Sequence, residues 1–171
     1  MLEDHPRRIA AVTKRIAARR LRREPILGDW TAVDVLAHLR ACADARGEAI
    51  PLILDGRHAT LRAIDPRKLI EETDYRALAF ATSFRAFARQ RARLVKLLRS
   101  LPPRAWSRSA TFTGFGTPRQ RSVLFYARWV ARHERAHVRH FERAFGDRAR
   151  PARNPSARSV VESAVAETER A

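Results

Sequence analysis

The chain has 171 residues, 45% of them apolar, and a formal charge of +17, which is enough material for one domain with a buried core. No apolar run approaches the roughly 18–20 residues of a membrane span, and Met1-Leu2-Glu3-Asp4-His5 has no apolar stretch behind a basic region, so neither a span nor a secretory signal is expected. Cys42 is the single cysteine, which excludes an internal disulfide and a cysteine-rich zinc site; a cytoplasmic protein fits.

Four long helices are predicted in chain order. The first runs from Pro6 to Arg23, with Ile9, Val12, Ile16 and Ala17 on one side and arginines on the other, and Pro25-Ile26-Leu27-Gly28 breaks it. Thr31 opens the second, with Thr31-Ala32-Val33-Asp34 as an N-cap and an acid in the first turn. This helix continues to Leu54, with a bend expected at Pro51, and stops at Asp55-Gly56. Residues 56–73 contain Asp65-Pro66 and no sustained period, and read as a long connection. The third helix covers Asp74 to Ser100, with Phe80, Phe84, Phe87, Leu94 and Leu98 along one face, and ends at Leu101-Pro102-Pro103.

After a loop at Gly114-Phe115-Gly116, Thr117-Pro118-Arg119-Gln120 reads as the start of the fourth helix, which ends at Gly146. Only Thr111-Phe112-Thr113 suggests an extended piece. Residues 147–171, rich in Pro, Arg, Ser and Ala, are expected to be a poorly ordered tail with a short helix near Val160–Glu169. The fold class is therefore an all-α four-helix bundle over residues 1–146, whose long 56–73 connection crosses over and makes helices 2 and 3 parallel.

The charge is almost all arginine: of 35 basic residues only Lys14, Lys68 and Lys96 are lysines. Residues 1–23 hold eight basic side chains against two acids and residues 74–100 seven against one, whereas 151–171 hold three of each. The charge is spread along several helices and forms no basic arm, so a nucleic-acid partner is possible without being favoured.

Chemistry concentrates on the fourth helix. Val123, Tyr126, Trp129, Val130, His133, His137, Phe141 and Ala144 share one face, opposite Arg121, Arg128, Arg132, Arg135, Arg139 and Arg143. His133 and His137 are one turn apart in the middle of the apolar stripe, and a shared metal would satisfy both imidazoles. His38 lies on the inner face of the second helix with Val35, Leu39, Cys42, Ala45 and Ala49, whose small members leave room beside it. In antiparallel helices His38 and His137 fall at the same depth. Three neutral imidazoles there form an open site for zinc, nickel or iron.

His133-Glu134-Arg135-Ala136-His137 also matches the H-E-x-x-H pattern of zinc peptidases, in which the glutamate is a general base. Glu134 points about 80° off the histidine pair, no strand is evident to hold a peptide, and His140 and Arg143 stand where the extended motif needs Gly and His. The candidates for a third, glutamate ligand, Glu162 and Glu167, fall in the tail. Glu134 is therefore read as an ordinary glutamate between two ligands.

Trp30-Thr31-Ala32-Val33-Asp34-Val35-Leu36-Ala37-His38-Leu39 resembles the W-S-x-x-E-V-L-x-H-L opening of the second helix in the DinB-like superfamily. His133-x-x-x-His137 after Gly116 and an apolar run resembles that family's closing H-x-x-x-H, and Tyr75 to Leu98, with Phe87 and Arg91, its third helix; coverage is about residues 6–146. The resemblance implies an up-down-down-up bundle, a divalent metal on His38, His133 and His137, and homodimers. Relatives include thiol-dependent S-transferases and isomerases, so it also implies a small-molecule substrate and a low-molecular-weight thiol. Arg135 and Arg139 are more basic than that family's usual pattern.

The remaining candidates have plainer readings. Cys42 could approach the metal but reads first as a core thiol; Asp34 could orient His38 or serve the helix start. Tyr126 could aim a hydroxyl into the pocket but reads as core. Arg91 interrupts an apolar stripe and reads as snorkelling, His140 reads as outer shell or surface, and His5 and His58 fall in fraying or loop segments. No motif for an organic cofactor is visible. The function expected is that of a metal-dependent transferase or hydrolase, most concretely an S-transferase. The alternative is a non-catalytic basic binding protein with a structural or vestigial metal.

Overall fold

The structure is a computed structural model that describes residues 2–57, 59–114 and 116–146. The expected tail at 147–171 and its helix near Val160–Glu169, together with His58, lie outside the described residues.

The first predicted helix is two. α1 (Asp4–Thr13) buries His5, Ile9 and Thr13 one turn apart, and the Thr13 hydroxyl donates back to the Ile9 carbonyl at 2.8 Å. The chain turns through Ala17, whose ψ of 139° is extended, into α2 (Ala18–Arg23). That break brings Leu21 into the same core as Ile9. β1 (Pro25–Leu27) and β2 (Trp30–Thr31) form a small hairpin whose tight turn uses Gly28 at φ 52°.

α3 (Ala32–Cys42) opens with the expected capping box. The Thr31 side chain accepts from the Asp34 amide, and the Asp34 carboxylate accepts from the Thr31 amide at 3.0 Å. Every α3 residue except Asp34 is buried, so this helix is the spine of the bundle. The second predicted helix is irregular, but at a π-helical segment (Ala43–Gly47), not at Pro51. α4 (Ala49–Asp55) follows, and Pro51 falls in its first turn, where a missing N–H costs little. Gly56 at φ 71° ends it.

The predicted 56–73 loop contains β3 (Thr60–Arg62) and α5 (Pro66–Glu71). Asp65 caps α5 by accepting from the Arg67 amide at 2.9 Å, with Pro66 at the first helical position. α6 (Phe80–Ser100) starts one and a half turns later than predicted, since Tyr75 leaves the helical path to donate its hydroxyl to Asp44 at 2.6 Å. A 3₁₀ turn (Pro103–Ser107) leads to β4 (Ser109–Thr113), which contains the predicted extended piece.

The fourth helix also begins later than predicted. β5 (Arg119–Ser122) pairs antiparallel with β4, covering the strand that buries Ala110 and Phe112. α7 (Val123–Phe145) then starts from Ser122, whose hydroxyl accepts from the Phe125 amide at 3.1 Å. Thr117-Pro118 is therefore a loop and not a helix start. β3 joins the sheet parallel to β4. The all-α expectation is corrected to a mostly helical bundle with two small sheets.

Long-range contacts fix the helices against one another. Arg99 near the end of α6 pairs with Glu3 at the start of α1, and Phe80 at the start of α6 packs 6.2 Å from Phe141 near the end of α7. Arg8 donates two bonds of 2.8 Å to Glu142. One apolar cluster centres on Ile9, Leu36, Leu39, Phe87, Val138 and Phe141, another on Ile50, Ile53, Phe112, Val123 and Val130. The histidines occupy the polar layer between them. No helix among the described residues is long and apolar enough to cross a membrane.

Candidate metal centre

His38 projects from the middle of α3, and His133 and His137 from the middle of α7. The structure brings all three together: His38 Nε2 lies 3.0 Å from His133 Nε2, which lies 3.2 Å from His137 Nε2. All three rings are about nine-tenths buried. Trp30, placed by the β1–β2 hairpin, meets His38 edge-on with centroids 5.3 Å apart, and Trp129 stacks on His133 at 4.6 Å and 11°. The aromatic packing fixes how both rings point.

Cys42 is one turn beyond His38, and its Sγ is 3.6 Å from His38 Nε2 and 3.9 Å from His133 Nε2. The donor atoms of His38, Cys42 and His133 all lie within 4.8 Å of one another. Cys42 is thus both a core residue and a neighbour of the cluster.

Burial favours the uncharged form of every group in the cluster. It pushes His38 down to about 4, with the charges of Arg67 and Arg76 adding to the effect. Burial also holds His133 well below the ordinary imidazole value, helped by His38, and His137 likewise, helped by His133 and His38. The same burial pushes the Cys42 thiol up.

Ring nitrogens this close either share an N–H···N hydrogen bond between neutral tautomers or enclose a cation in place of the proton, and protonation to the charged form is disfavoured there. A divalent cation fits there while the imidazoles stay neutral, the form that ligates. Nitrogens bonded to a tetrahedral ion at about 2.0–2.1 Å stand about 3.4 Å apart, and a thiolate at about 2.3 Å stands about 3.5 Å from each nitrogen. The observed spacings are close to both. The donor set, imidazoles with a soft sulfur beside them, suits zinc, nickel or iron rather than magnesium or calcium.

Glu134 is not an ordinary glutamate. It is 2% exposed, and its carboxylate is shared between His5, 3.0 Å from His5 Nδ1, and Arg91. Both partners were read as peripheral from the sequence, and both are fully buried. Burial lowers the affinity of Arg91 for its proton and the Glu134 charge opposes that. The carboxylate oxygens are therefore engaged away from the histidines, which removes the general-base role of an H-E-x-x-H motif. The signal available in the sequence was Arg91 inside an apolar stripe; His5 gave only its position one turn before Ile9.

Asp34 serves the helix start, as the cap reading had it, and also pairs with Arg76 at 3.3 Å. His140 is half-buried with its ring 5.9 Å from His137, outside the cluster. Tyr126 is buried, packs edge-on against Phe112 at 5.0 Å, and borders a cavity of about 400 Å³. Trp129 lines that cavity as well as stacking on His133. The sequence carries no signal for this cavity, since β5 has the chemistry of a helix start and α5 lies inside an aperiodic connection.

A family model described as DinB superfamily matches residues 1–141. A solved structure is similar over 85% of this chain and 83% of its own, with a TM-score of 0.65 and 22% identity. It is YfiT from Bacillus subtilis, described as a probable metal-dependent hydrolase with an unusual four-helix bundle topology. No curated protein matches this chain.

Proposed function

This chain belongs to the DinB superfamily, and on that premise we propose that it is a metal-dependent enzyme whose divalent ion is held by His38, His133 and His137. The observation that carries the proposal is the convergence of three buried, neutral imidazoles with Nε2 spacings of 3.0 and 3.2 Å. In this reading residues 1–146 form the catalytic unit, its long helices run up-down-down-up, and the protein works in the cytoplasm as a homodimer. The parallel pairing of β3 after α4 with β4 after α6 supports that helix order.

The reaction proposed is transfer to or from a small molecule, with a low-molecular-weight thiol as the attacking partner; hydrolysis, as described for YfiT, is the same chemistry with water in that place. The bound ion would supply Lewis acidity, lowering the pKa of thiol or water so that the anion attacks at neutral pH. The chain's own part is to present three neutral nitrogens in buried surroundings and to fix the ligand rings through Trp30 and Trp129.

The test is direct. Zinc-reconstituted protein is assayed with a small thiol and an alkylating electrophile, following loss of free thiol. His38→Ala is expected to lose both metal and activity. If metal is lost while turnover persists, the proposal fails.

One observation favours a second reading. Cys42 Sγ stands where a fourth ligand would, 3.6 and 3.9 Å from two ligand nitrogens. A thiolate there closes the tetrahedron and makes the metal structural, in a non-catalytic basic binding protein whose affinity for an anionic partner falls steeply with salt. Cobalt-substituted protein separates the two: a sulfur-to-cobalt charge-transfer band that vanishes in Cys42→Ser marks the closed site, and its absence marks the open one.

A further inference from the structure

The cavity beside Trp129 is walled by residues far apart in sequence. Arg46 comes from the π-helical segment, Asp65 and Arg67 from the start of α5, and Arg119 and Arg121 from β5. Arg119 and Arg121 are two apart on a strand and so face the same side. Phe112, Phe125, Tyr126 and Trp129 supply an aromatic floor. At about 400 Å³ it has the size of a small-molecule site.

Four arginines thus line one space with one carboxylate residue, Asp65, among them. Like charges gathered around a concave surface repel and focus a positive potential into it, which an anion relieves. Guanidinium groups also match the planar, two-oxygen geometry of carboxylate and phosphate. The exposed arginines of α6, such as Arg89 and Arg93, lie outside this cavity.

We infer that this cavity, next to the histidine cluster across Trp129 and lined by none of its three histidines, binds a small molecule with a carboxylate or phosphate at one end and an apolar or aromatic body. The anionic end sits against Arg119 and Arg121, within the positive field of Arg46 and Arg67. The body lies among Phe112, Phe125 and Trp129, where the Arg121 guanidinium stands over the Phe125 ring at 4.2 Å and Trp129 is stacked on His133. Taking this ligand as a substrate rests on the function proposed above. The anion site itself does not need the metal.

The test uses full-length protein with inorganic phosphate and benzoate as probes, titrated by calorimetry and tryptophan fluorescence, with metal content measured on each sample. Wild type is expected to bind saturably, and Arg119→Ser/Arg121→Ser to bind about tenfold or more weakly. Arg89→Ser/Arg93→Ser, with the same change in charge, is expected to stay within about twofold. Phosphate alone or benzoate alone identifies which anionic group the site takes. Arg119→Ser, an exposed single change, serves if the double variant fails to fold. Equal losses in the two arginine pairs, or no saturable binding in wild type, overturn the inference. Unchanged metal content in the Arg119/Arg121 variants keeps the metal proposal standing even then, whereas wild type that takes up no metal on reconstitution yet still binds the probes sinks that proposal alone.

Discussion

His133 and Glu134 are neighbours in the chain, both buried, and they enter two polar clusters of opposite character. Glu134 joins His5 and Arg91, where a carboxylate stands between two donors and charge is balanced within the protein. His133 joins His38 and His137, where ring nitrogens of one kind face one another and, among the described residues, the Nδ1 atoms of His133 and His137 find no partner. Buried polar groups that complete each other hold a fold together. Buried polar groups of one kind turned toward a common point are arranged for something that comes from outside.

The comparison breaks most visibly through stability. Glu134→Ala leaves Arg91 buried without a counter-charge and His5 without its hydrogen-bond partner, and is expected to cost about 3–5 kcal/mol. His133→Ala in metal-free protein is expected to cost less than half of that, because it relieves a crowded set of like groups. Urea denaturation of both variants checks this; equal losses would mean that the two clusters do the same job.

Metal should sharpen the contrast in the other direction. Zinc at a hundredfold excess over its dissociation constant should stabilise wild type by about 2.7 kcal/mol. Thermal melts of His137→Ala should show none of this gain.

The next effect is that of pH on metal-free protein. His38 titrates near 4 when folded against an ordinary value of 6.5, so the unfolded chain binds more protons between those values. Stability is therefore fully present above about 6.5 and falls as the pH drops toward about 4, with no further contribution from this group below. Denaturation midpoints across that window should be flatter in His38→Gln. The smallest effect tests the scaffold: Thr31→Ala removes the cap of α3 and should cost about 1 kcal/mol in a thermal melt, with metal content unchanged.

The helices, the Thr31–Asp34 cap and the convergence of three histidines were legible because helical periodicity puts side chains on faces without knowledge of anything distant. What escaped depended on partners remote in sequence. Glu134 finds His5 at a separation of 129 residues, which no local pattern carries. Thr117-Pro118 had the chemistry of a helix start, but pairing with β4 kept Arg119–Ser122 extended and moved the cap to Ser122. Asp65-Pro66, inside an aperiodic stretch that reads as a long connection, is itself a cap and first helical residue, and α5 with it forms one wall of the arginine-lined cavity.

The central claim rests on what stands among the three imidazoles, and metal content per chain tests it most directly. Protein purified without an affinity tag and reconstituted with zinc, nickel or iron is compared with His133→Ala by elemental analysis. About one ion per wild-type chain and almost none in the variant is the expected result. A wild type that takes up no stoichiometric metal after reconstitution would contradict the account.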